Sequence, residues 1–163
     1  MTTHGWNLPK EVDLGDITVR DGLQTLEHFV PTDQKVRFAE DLVLAGYKHI
    51  EVSNFGHPKF LPQFKDIDEL LERLFESERI GKMLKQNGGD VTITCITINE
   101  RAVDRAIDFK AKHKYGPDFI LQMVSTDEHH HKVNSGMSLD EYWKMTERCT
   151  KKAHEAGIGM CGT

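Results

Sequence analysis

Apolar residues along the chain follow two spacings: period two in short β-branched runs, and three-to-four in longer stretches. "VDLGDITVR" (12–20) predicts a first strand. Thr32 then caps a helix with Val36, Ala39, Leu42 and Val43 on one face, and Gly46 stops it. "HIEVSNF" (49–55) reads as a second strand. A long amphipathic stretch carrying Ile67, Leu70, Leu71 and Leu74 follows, ending at Gly88 and Gly89. "VTITCITI" (91–98) is the clearest strand, and Asn99 caps a third helix with Ala102, Val103, Ala106 and Ile107. "DFILQMVS" (118–125) predicts a fourth strand. Ser138 and Glu141 form a capping box for a fourth helix with Tyr142, Met145, Cys149 and Ala156 inside. "GIGMCG" starts a fifth strand.

Strand and helix thus alternate four times, with connections long enough for parallel crossovers. Doubly wound sheets and (β/α)8 barrels both fit. A complete barrel takes about 250 residues, so 163 residues would supply four βα units and a fifth strand. The expectation is a single domain, 1–163, ending partway through a barrel.

The composition is 38% hydrophobic and 29% charged, that of an ordinary globular domain. A formal charge of -5 argues against nucleic acid as a partner. The N-terminal residues carry no basic segment followed by an apolar run, and no stretch is long and apolar enough for a membrane span. Cys95, Cys149 and Cys161 form no CxxC pair and read as reduced thiols, so a cytoplasmic location is expected.

Candidate chemistry lies at the strand ends, where α/β folds meet their ligands. Arg20 and Asp21 close the first strand, Glu51 and Ser53 the second, Thr97 and Asn99 the third, Gln122 and Ser125 the fourth. In a barrel these ends converge on one mouth. An aspartate there can bind a hard divalent cation, and an arginine can stabilise developing enolate charge. The three histidines His129–His131 fall in a polar loop after the fourth strand, where such residues are mostly exposed; His129 is the candidate for substrate contact.

"RDGLQ", followed in order by "VPT", "AG", "IEVSNF" and "PKFLPQ", resembles the hydroxymethylglutaryl-CoA lyase family, over residues 13–162. The resemblance implies the first four βα units and fifth strand of a (β/α)8 TIM barrel. It also implies a divalent metal, Mg2+ or Mn2+, and retro-Claisen cleavage of an acyl-CoA through an enolate. It assigns Arg20 to the substrate carbonyl and the enolate, Asp21 to the metal, Gln24 to the substrate pocket, and Glu51 to holding Arg20. Such a protein is expected to be a homo-oligomer.

Four departures qualify the resemblance. Thr25 replaces the family's asparagine, and "NFGHPK" stands where lyases more often have "SFVSPK". "DITVRDG" is similar to the "DTTLRDG" of the isopropylmalate, homocitrate and citramalate synthases, which makes Claisen condensation the alternative reaction. The family's late His-x-His pair and cysteine loop would fall beyond Thr163. The chain alone is therefore expected to lack turnover, and a catalytically incomplete half-barrel with uncovered sheet edges is a third reading.

Overall fold

Five strands pair in chain order, and that order separates the two α/β architectures. The computed structural model describes residues 9–162; residues 1–8, part of the N-terminal stretch read above for targeting signals, and Thr163 lie outside it. The strands are β1 (Gly15–Asp16), β2 (His49–Asn54), β3 (Thr92–Ile96), β4 (Phe119–Gln122) and β5 (Gly159–Gly162). All four neighbouring pairs are parallel, in the order β1-β2-β3-β4-β5. Crossovers between parallel strands are right-handed, so a chain that always steps in one direction lays every helix on one face. That is barrel winding; a doubly wound sheet would reverse direction.

The helices are α1 (Thr32–Leu44), α2 (Ile67–Phe75), α3 (Glu100–His113), α4 (Glu128–Ser135) and α5 (Leu139–Glu155). Their apolar stripes meet the sheet in one core: Val36, Ala39 and Val43 from α1, Leu70, Leu71 and Leu74 from α2, Val103 and Ala106 from α3, and Tyr142, Met145 and Cys149 from α5. Of the expected caps, those of α3 and α5 are present, whereas Thr32 is itself the first residue of α1, after Pro31 at the N-cap, and its hydroxyl donates to Asp66 at 2.8 Å. Asn99 accepts from the Ala102 N–H at 3.0 Å, and Ser138 and Glu141 form the reciprocal box. Gly46, at φ +103°, ends α1 in a conformation that L side chains rarely adopt. Gly89 is required for space, since a Cβ there would lie 2.0 Å from the Met83 carbonyl oxygen.

Three boundaries differ from expectation. The first strand is two residues long rather than nine. The Asp16 carboxylate accepts from the Thr18 N–H at 2.8 Å and its hydroxyl at 3.1 Å, turning the chain into a π-helical turn, Thr18–Gly22. α2 stops at Phe75, and two 3-10 turns (Gly81–Met83 and Lys85–Asn87) carry buried Ile80 and Leu84 onward to β3. The loop expected to hold the histidines contains α4, whose first turn is capped by Asp127 accepting from the His130 N–H at 2.6 Å.

Candidate active site

The π-helical turn decides what the end of β1 presents. It buries Val19 and Arg20 and leaves the Asp21 side chain about half exposed, at 49%. Arg20 is 7% exposed and Glu51, on β2, is also 7% exposed. The Arg20 Nε donates to Glu51 Oε1, and Arg20 Nη1 donates to Asp21 Oδ1 at 2.5 Å. Two edges of the guanidinium are thus fixed by carboxylates, and Nη2 has no partner among the described residues. A planar, permanently protonated group held this way is preorganised for an oxygen that gains negative charge. Burial, and secondarily the Glu51 charge, push the thiols of Cys95 and Cys161 up, keeping both protonated and poor nucleophiles at neutral pH.

The other strand ends contribute unevenly. The hydroxyls of Ser53 and Thr97 are buried without a hydrogen-bond partner among the described residues. Asn54 turns the chain after β2 by accepting from the Gly56 N–H at 2.7 Å. The Asn99 side chain is committed to capping α3, and both amide atoms of the Gln122 side chain are buried without a hydrogen-bond partner among the described residues. Beyond β3 and β4 opens a cleft of about 580 Å³, lined by Ile98, Met123, Ser125, His130, His131 and Tyr142 among others. The Tyr142 hydroxyl donates to the Met123 carbonyl at 2.7 Å, and the His131 ring meets Tyr142 edge-on at 4.6 Å. His130 Nδ1 lies 3.0 Å from Ser125 Oγ.

Of the residues singled out by sequence, Arg20, Asp21 and Glu51 come together. Gln24 is exposed just past the π-helical turn. His129 is exposed and lies outside the cleft, which His130 and His131 line instead. Adjacent helical residues point about 100° apart, so only part of a histidine run can face one cavity. A hard divalent ion needs several oxygen ligands. Among the described residues no group of three or more His, Cys, Asp or Glu gathers in a ligating arrangement. Asp21 offers one carboxylate, already shared with Arg20. These residues do not make a metal site by themselves. No helix among the described residues is long and apolar enough to cross a membrane.

Sequential parallel winding, with a buried Arg–Glu pair at one strand-end rim, defines this chain as part of a (β/α)8 barrel. The chain belongs to the HMGL-like family, whose profile matches residues 11–161. It is 28% identical over 154 residues to the mitochondrial hydroxymethylglutaryl-CoA lyase of Bos taurus, covering 94% of this chain and 42% of that protein. The hydroxymethylglutaryl-CoA lyase of Pseudomonas aeruginosa shares the fold, with a TM-score of 0.79 at 22% identity over 96% of this chain and 47% of that one. So does the Acinetobacter baumannii enzyme solved with coenzyme A and 3-methylmalate, with a TM-score of 0.74 at 19% identity, covering 92% and 43%. The chain therefore spans less than half the length of the relatives it matches.

Proposed function

We propose that this chain is the Arg-Asp-Glu portion of an acyl-CoA carbon-carbon lyase of the hydroxymethylglutaryl type. The observation that carries the reading is the buried Arg20 with its Nε held by Glu51 and its Nη1 by Asp21. In retro-Claisen cleavage a base takes the proton of the tertiary hydroxyl, its oxygen closes to a ketone, and the adjacent C–C bond breaks. The electron pair then passes to the thioester as an enolate. Arg20 donates to that enolate oxygen, and Glu51 keeps the guanidinium oriented. Asp21 would supply one ligand to a Mg2+ or Mn2+ ion, and such an ion would acidify the substrate hydroxyl; it would need further ligands that the described residues do not bring together.

The test is Arg20→Met in a chain that carries the whole barrel, followed as cleavage of 3-hydroxy-3-methylglutaryl-CoA. Loss of an oxyanion donor lowers kcat by about 10²–10³-fold, and near-normal turnover would end the assignment. The condensing alternative is separated by supplying acetyl-CoA with a panel of 2-oxo acids and following free CoA thiol.

A second reading concerns the 163-residue chain alone. Val12, Leu14 and Ile17, flanking β1, are 72%, 66% and 49% exposed. An open, apolar-flanked strand edge favours association, so the chain alone is proposed to self-associate without turnover. A monomer in sedimentation experiments would remove this second reading.

A further inference from the structure

Residues 26–31, between the π-helical turn and α1, form neither helix nor strand, yet one side chain ties them down at three backbone atoms. Gln63, 3% exposed in the 3-10 turn Pro62–Phe64, donates from Nε2 to the carbonyls of Leu26 (3.0 Å) and His28. Its Oε1 accepts from the Val30 N–H at 3.1 Å. Gln63 is held in turn by Lys35 of α1, 1% exposed, whose Nζ donates to the Gln63 carbonyl and to both Asp66 carboxylate oxygens, at 2.8 and 3.1 Å. Thr32 Oγ1 adds a bond to Asp66 Oδ2 at 2.8 Å, and the Lys35 and Lys65 ammonium groups lie 4.3 and 4.1 Å from the Phe29 ring centroid. A lysine buried on the core side of a helix is expensive, and apolar residues fill such positions at least as well. Packing alone does not account for it.

We propose that Lys35, Gln63 and Asp66 are positioning residues that hold the loops after β1 and β2 as one body and thereby fix Arg20. The connection is continuous in hydrogen bonds. Gln63 holds the Leu26 carbonyl, the Leu26 N–H donates to the Leu23 carbonyl at 3.1 Å, and the Leu23 N–H donates to the Arg20 carbonyl. Arg20 is thus located from two sides: its guanidinium by Glu51 on β2, and its backbone by a turn anchored to the loop that follows β2. The purpose of the clamp rests on the reading of Arg20 as the enolate donor; its existence does not.

The experiment is amide hydrogen exchange and 15N spectroscopy on the 163-residue chain, for the wild type, Gln63→Met and Gln63→Glu. Methionine keeps the length and removes every loop bond; glutamate keeps the acceptor for Val30 and sets a carboxylate against two carbonyls. In both variants, exchange at the Leu26 and Val30 amides, the two in this segment that donate hydrogen bonds, rises by about 10–100-fold, the yield of losing one to three net hydrogen bonds, while β3 and α3 exchange as in the wild type. The Arg20 Nε–H resonance, a signature that mere loop packing would not move, shifts or broadens. Unchanged loop exchange overturns the clamp, as does equal acceleration everywhere. Faster loop exchange with an unmoved Arg20 resonance overturns the positioning role while leaving Arg20's own assignment intact. Should both variants fail to fold, the wild type decides, because a Val30 amide exchanging at the random-coil rate is incompatible with the proposal.

Discussion

Replacing Glu51 by leucine tests the arrangement on which the functional reading stands. The Arg20 and Glu51 side chains are 8% and 7% exposed, so both charges are almost fully withdrawn from water. Removing one partner of such a pair leaves the other uncompensated and costs about 3–5 kcal/mol. Asp21 offers Arg20 a second carboxylate, but its side chain is 49% exposed, and a pair on the solvent side recovers only ~0–1 kcal/mol. The expected loss for Glu51→Leu is therefore about 3–4 kcal/mol, and at roughly 2–4 °C per kcal/mol for a chain of this size the Tm falls by about 6–16 °C. Glu51→Gln retains an acceptor for Arg20 Nε and should lose about half as much. Urea unfolding of the wild type, Glu51→Leu, Arg20→Met and the double variant closes a cycle. The double variant should be more stable than the sum of the single losses implies, by about 2 kcal/mol or more. Additivity within ~0.5 kcal/mol would mean that the two charges are independent, and the preorganised guanidinium would go with it.

Other consequences can be checked on the same chain. Gly89→Ala sets a Cβ against the Met83 backbone and should cost about 2 kcal/mol or more in urea unfolding; a neutral substitution would show that this turn is looser than drawn. Burial, with help from its bond to Glu76, pushes the Tyr115 hydroxyl up to about 12 from an ordinary value of 10.0. Between those values the unfolded chain releases this proton before the folded one, so the Tyr115 contribution is intact below pH 10.0 and is lost as pH rises towards 12. Tyr115→Phe should flatten that part of the alkaline unfolding curve, and an unchanged curve would count against the shift. Calorimetric titration with Mn2+ should find only weak binding, since Asp21 is a single shared carboxylate. A tight one-to-one site abolished by Asp21→Ala would show that these residues suffice as a metal centre.

Much of the fold was legible because strand and helix spacing differ in period, and because α1, α3 and α5 each carried a cap or a stop. The Arg20–Glu51 pair, 31 residues apart in sequence, became legible only through a family motif, since spacing alone cannot tell a buried charge from a surface one. α4 escaped notice for a physical reason. Val133 is its one large apolar side chain and is 69% exposed, so no hydrophobic face announces the helix; its Asp127 cap is the signal that was there to find. Lys35 was hidden differently. It stands four residues before Ala39, on the apolar stripe of α1, where a lysine reads as an interruption rather than as a buried partner for Asp66.

The shortened first strand explains how two neighbouring residues can serve one site. Successive side chains of a strand point to opposite faces, so a strand running through Arg20 and Asp21 would send one of them into the helix layer. Asp16 prevents this by capturing the Thr18 N–H and hydroxyl immediately after β1. In the π-helical turn that follows, neighbouring side chains diverge far less than across a pleat. Arg20 reaches Glu51 while its Nη1 stays 2.5 Å from Asp21, and Asp21 remains open to solvent. The Asp21 carboxylate and the Arg20 guanidinium thereby meet at one rim, and substituting Asp16 should separate them before it disturbs anything else in the sheet.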